Sequence, residues 1–160
     1  VRLHITWLTY PGRQELPLLA ESAQFSLGEL GFEVEVNCTA NHTSVRTDAS
    51  AWDVYASALV TAPTGDPEYF FAATCLTDAP KNFGGYSNPD LDAMAADLAE
   101  EFDPDRRAEL AVQMQQTIID DGAFVFASHL TMGIVSRAGV SGIAPHPCDY
   151  YEITSDLTME

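Results

Sequence analysis

Four histidines, His4, His42, His129 and His146, and three cysteines, Cys38, Cys75 and Cys148, are the side chains of this sequence best suited to hold a metal. Neutral imidazole suits nickel, and thiolate suits softer ions. No two histidines stand four apart on a predicted helix, and no cysteine pair has the CxxC spacing of a zinc site. Only the run His146-Pro147-Cys148-Asp149 groups three potential ligands, so His146 and Cys148 are the weak candidates for a metal site. Pro147 between them restricts how they could converge. Hydrolytic chemistry needs a nucleophile on a strained elbow, and no GxSxG occurs. The neighbours Ser128 and His129 would point to opposite faces of a strand. Gly84-Gly85 lacks the further glycines and the Lys-Ser/Thr of a phosphate loop. The residues therefore predict no enzyme and no cofactor.

Elements capable of positioning a ligand are easier to read. "RLHITWL" is a β-branched and aromatic strand ended by Pro11-Gly12. Leu16, Leu19, Ala20, Ala23, Leu27 and Leu30 then fall at helical spacing over about 14–30, with Pro17 early and Gly31 as the stop. "FEVEV" alternates as a half-buried strand, which completes a βαβ unit and implies a parallel sheet. "NHTSVRTDAS" is a short polar helix or loop, and "WDVYASALV" is a third strand. Helices are expected over 89–101, capped by Asn88 and burying Leu91, Met94, Ala95, Leu98 and Phe102, and over 104–121, capped by Asp103. "FVFASHLTMGIVS" reads as one or two strands, after which an aperiodic tail wraps over a surface. The sum is an α/β fold with a mixed, mostly parallel sheet of about five strands flanked by helices.

The stretch Thr61 to Gly65 follows the third strand and precedes Asp66-Pro67, which repeats the Asn88-Pro89 and Asp103-Pro104 device. Asp66 is thus expected to cap a short helix carrying Tyr69, Phe70 and Phe71. A loop leaving the carboxyl end of a strand is where open α/β sheets bind ligands. The chain has 24 acidic against 7 basic residues and a formal charge of -17, which repels nucleic acid and anionic membranes. No apolar run reaches the roughly 18 residues of a membrane span. "VRLHITWLTY" already reads as a strand in progress, so a piece excised from a longer chain is expected.

"ELPLLAESAQFSLGELGFEVEV", "WDVYASALVTAPTGDPEYFF" and "NFGGYSNPDLDAMAADLAEEFDPDRRAELAVQMQQTIIDDGAFVFASH" resemble, in order and spacing, the C-terminal half of family 5 (peptide/nickel) solute-binding proteins of ABC importers. The most specific pieces are Gly65-Asp66-Pro67, Gly85 to Pro89 with Leu91-Asp92, and Asp103-Pro104 with Arg107. The resemblance implies one lobe of a type II periplasmic-binding-protein-like fold, residues 1–137, with a tail, 138–160, returning towards a missing N-terminal lobe. It further implies hinged closure on a small solute, delivery to an ABC permease, and a location outside the cytoplasm, in a periplasm or as a lipoprotein at the cell surface. Val60, Thr61, Ala62, Pro63, Thr64 and Gly65 would form one wall of the cleft. Peptide-binding members carry an Asp where this chain has Pro63, and Ala62-Pro63 is closer to nickel-binding members. The aromatic and the downstream His of the latter fall on Val60 or Thr61 and near Ala79. Nickel, as a chelate, is the favoured ligand; a short peptide, or a sensor role on the same lobe, is the alternative.

Overall fold

The computed structural model describes residues 3–131, 133–146 and 153–159. They fall into two compact units, Val1–Leu59 and Val60–Glu160.

In the first unit, β1 (Leu3–Thr9) lies between β2 (Phe32–Cys38) and β3 (Val54–Tyr55), and both pairings are parallel. The register runs from Leu3 opposite Phe32 to Thr9 opposite Cys38. Alternation in "FEVEV" buries Val34 and exposes Glu33 and Glu35, as period-2 geometry requires of a half-covered strand. The connection from β1 to β2 is α1 (Glu15–Glu29), which buries Leu16 and Ala20 and ties itself to the sheet where Gln24 Nε2 donates to the Val34 carbonyl. Gly31, at φ 92°, ends it in the left-handed conformation that costs glycine nothing. Leu30 was expected on the buried stripe and is instead 75% exposed. It is the cap residue, so its side chain no longer follows the helical face. A single turn, α2 (His42–Val45), precedes β3.

β3 is two residues long rather than the nine of "WDVYASALV". Its neighbour explains the difference. β1 runs into the Pro11-Gly12 turn, so backbone pairing stops at the Ala56 N–H to Leu8 carbonyl bond, and Ala58 N–H donates to the Tyr10 hydroxyl instead. At the other end the Asp53 carboxylate accepts from Thr6 N–H.

The regular structure of the second unit is mostly helical: α3 (Glu68–Phe70), a π-helical turn (Phe71–Cys75), α4 (Pro89–Glu100) and α5 (Pro104–Asp120). Its core joins Phe70, Phe71, Cys75, Leu91, Leu98, Ala111, Met114 and Ile118. Both long helices start as the sequence predicts. Asn88 accepts from the N–H groups of Asp90 and Leu91, and Asp103 from those of Asp105 and Arg106, with proline at the first helical position each time. Phe102, expected to be buried, is 89% exposed because it sits in the turn between the helices, beyond the stripe of α4.

The expected strands in "FVFASHLTMGIVS" do not form among the described residues. A strand needs a neighbour's backbone to satisfy its own, and among the described residues the pairing of this unit is confined to a short antiparallel ribbon of β4 (Val140–Ser141) and β5 (Thr158–Met159). The two-residue alternation survives in the side chains: Phe124 and Phe126 both meet the Phe70 ring, at 6.4 and 6.0 Å between centroids. The ribbon pairs four described residues of the expected tail, and Gly142 is fixed there by sterics, since a Cβ would strike the Asp156 carbonyl. The described strands lie in two sheets, a parallel one of three strands and an antiparallel one of two, where one mixed sheet of about five was expected.

Asn88→Ala removes the α4 cap and a hydrogen bond to Asp121. Urea denaturation should show a loss of about 1 to 2 kcal/mol, and Asn88→Asp should recover the cap while setting two carboxylates together.

Candidate functional site

Residues 60–65 form a neutral corner. Gly65 N–H donates to the Ala62 carbonyl at 3.0 Å, closing a tight turn over Pro63 and Thr64, and Gly65 itself sits at φ 81°. Thr61, Thr64 and Gly65 are exposed, while Val60, Ala62 and Pro63 are half-buried. The corner therefore offers two threonine hydroxyls and main-chain groups, and no charge.

Directly behind it stands a charged clamp. Arg107 Nη2 lies 2.8 Å from both carboxylate oxygens of Asp66 and 3.1 Å from Glu68 Oε2, and Nε donates to Asp66 Oδ2 at 3.1 Å. Nη1 donates to the carbonyls of Leu98 and Glu101 at the end of α4. All five donors of the guanidinium are engaged. Asp66 Oδ1 also accepts from Glu68 N–H, the first of α3, at 2.9 Å, a cap-like bond made from one residue ahead of Pro67 at the helix boundary. The Arg107 hydrogen bonds, then the Glu68 N–H, hold the Asp66 carboxyl below its usual range.

The other motif residues are likewise consumed by the scaffold. Asn82 brackets Tyr86 through its N–H and carbonyl, and Tyr86 and Asn88 both donate to Asp121 Oδ2, at 2.6 and 2.8 Å. Burial, followed by that carboxylate, pushes the Tyr86 phenol up to about 12. Asp92 accepts from Thr77 N–H. Burial raises the Cys75 thiol to about 12, which keeps it protonated and inert. A hollow of about 300 Å³ beside α4 is lined by Glu68, Phe71, Leu76, Asp92 and Leu98 and includes none of residues 60–65.

Of the two metal candidates, His146 is exposed, and Cys148 lies outside the described residues. Among the described residues no group of three or more His, Cys, Asp or Glu side chains could hold a metal ion, and no helix is long and apolar enough to cross a membrane. What sequence reasoning missed is the partner choice of Arg107 and, in the first unit, a half-buried cluster of Tyr10, His42, Arg46 and Tyr55. The one available signal for the cluster was an aromatic at or just past each strand end.

No protein-family model matches the chain. The nickel-binding protein NikA of Staphylococcus aureus is 29% identical over 158 residues, which is 99% of this chain and 32% of that protein. A solved nickel ABC transporter protein of Bacillus halodurans is 32% identical over 75% of this chain and 25% of its own, with a TM-score of 0.67. The chain is homologous to family 5 solute-binding proteins. This homologue spans about one third of the S. aureus relative. The fold agrees: the crystal structure of S. aureus NikA with Ni(L-His)2 matches 99% of the chain and 34% of its own at a TM-score of 0.79 and 23% identity. The oligopeptide-binding protein AppA of Bacillus subtilis, solved with a nonapeptide, matches 74% of the chain and 24% of its own at 0.64 and 17%. The match to the S. aureus structure, over 99% of the chain, takes in the corner and its clamp.

Arg107→Ala should lower the urea midpoint and open residues 61–66 to proteolysis, whereas Arg106→Ala, on a side chain 70% exposed, should do neither. Because the folded pKa of Asp66 is depressed, its stabilisation is complete above the ordinary carboxylate pKa of about 4 and is lost as pH falls below that value. Asp66→Asn should flatten this acid limb of the stability profile.

Proposed function

We propose that the chain is part of the substrate-binding component of an ABC importer, that it captures nickel as a chelate, and that Val60 to Gly65 form one wall of the cleft. The supporting observation is the 29% identity to a nickel-binding protein across 158 of the 160 residues. A corner without charge or imidazole suits a ligand that arrives with its metal already coordinated. Thr61 and Thr64 would hydrogen-bond the chelator, leaving the nickel bonds to amino-acid donors such as those of the Ni(L-His)2 bound in the S. aureus relative. Pro63 offers no carboxylate to a peptide ammonium, which sets the peptide reading second. In this account residues 1–137 are one lobe, residues 138–160 return to a further lobe that supplies the opposite wall, and the closed pair docks on a membrane permease outside the cytoplasm as a lipoprotein or periplasmic protein. The role is capture and not catalysis, so no cofactor takes part; the bound nickel is cargo.

Isothermal titration separates the readings. A chain extended to the relatives' full length should bind nickel with histidine more tightly than nickel alone or di- and tripeptides. The 160-residue chain, with one wall exposed to water, should bind each only weakly. Submicromolar binding of bare nickel by the 160-residue chain would place the site at His146 and Cys148 instead, and preference of the longer chain for peptides would overturn the nickel assignment.

A further inference from the structure

At the carboxyl end of the parallel sheet, one side chain from each connection meets another. Tyr10 follows β1, His42 opens α2 after β2, and Tyr55 ends β3. The Tyr10 and His42 rings stack at 3.9 Å between centroids and 19° between planes, and His42 and Tyr55 at 6.1 Å and 26°. His42 Nδ1 is 2.9 Å from the Tyr55 hydroxyl, and Arg46, the cap of α2, donates Nη1 to the same oxygen at 3.5 Å. All four side chains are half-buried.

When His42 is neutral with its proton on Nε2, its Nδ1 can accept the Tyr55 phenol hydrogen while the phenol oxygen accepts from Arg46. Protonation would put a hydrogen on Nδ1 and bring two cations, His42 and Arg46, onto one phenolic oxygen. The Tyr10 ring face favours a cation stacked on it, yet burial and then the Arg46 charge outweigh it and hold His42 below its ordinary value.

We propose that His42 is an acid-sensitive latch, whose protonation breaks the bond to Tyr55 and releases α2 and the Tyr10 turn from the end of β3. Neutral His42 joins the ends of three strands, and its charged form cannot keep the same bonds. The sign follows from linkage. A histidine depressed in the folded state contributes fully above the unfolded pKa of about 6.5, and its contribution is lost as pH falls through the folded value. The latch stands whatever solute the protein carries, since it uses residues of the first unit alone.

Two-dimensional NMR of the 160-residue chain reads both halves of the device. The His42 ring signals should titrate below the ordinary imidazole range, and the protection factor of the Arg46 amide, which donates to the His42 carbonyl, should fall over the same interval. That fall should be roughly tenfold for each unit by which His42 is depressed. Tyr55→Phe should move the His42 titration upward, and His42→Gln, whose amide oxygen can still accept from Tyr55, should keep α2 protected throughout. Titration of His42 at or above the ordinary range, constant Arg46 protection across it, or the same acid loss in His42→Gln would each overturn the latch.

Discussion

One guanidinium organises the second unit. Arg107 sits on α5, yet its bonds go to Asp66 and Glu68 at the start of α3 and to the last carbonyls of α4. Carbonyls at a helix end have no partner within the helix, and a half-buried cation so placed satisfies them while pairing with two carboxylates. The corner 60–65 thereby ends on a residue held from two directions, with the Gly65 turn in front and the clamp behind. In the proposed reading, a loop that presents two hydroxyls and a few main-chain groups to a solute would gain most from such fixing, because a neutral contact of modest strength cannot also order its own backbone. Lysine could not do the same, since it has three donors at one point where arginine spreads five in a plane.

The charge of -17 belongs to this picture in a negative way. Acidic residues cap helices, as Asp103 does, or cover the exposed face of β2, as Glu33 and Glu35 do, while the corner stays uncharged. In the proposed reading, a corner without charge of its own would select its ligand by shape and hydrogen bonding rather than by attraction to a carboxylate.

Much of the fold was legible because its signals are local. Asn88-Pro89 and Asp103-Pro104 announced two helix starts that need only their own backbone, and Gly31 announced an end. The failures share a cause as well. The nine residues of "WDVYASALV" and the alternation of Phe124 and Phe126 state that a strand is affordable, but pairing depends on whether a neighbour's backbone continues, and β1 stops at its turn. Phe102 and Leu30 were misplaced for the same reason at the scale of one residue, since a cap breaks the helical period that assigned them inward. The corner itself was visible as a proline-glycine turn before a capping aspartate. Its clamp was not, because Asp66 and Arg107 stand 41 positions apart and the sequence between them carries no pattern that names the pair.

The central claim is that this fixed neutral corner touches a solute that brings its own nickel ligands. An anomalous-scattering map at the nickel edge, from crystals of a full-length chain grown with nickel and histidine, tests it most directly. The account predicts a single nickel peak beyond bonding distance of any protein side chain, with chelator atoms hydrogen-bonded to Thr61 or Thr64. A peak coordinated by His146 or Cys148, or a chelate that leaves residues 60–65 untouched, would contradict it.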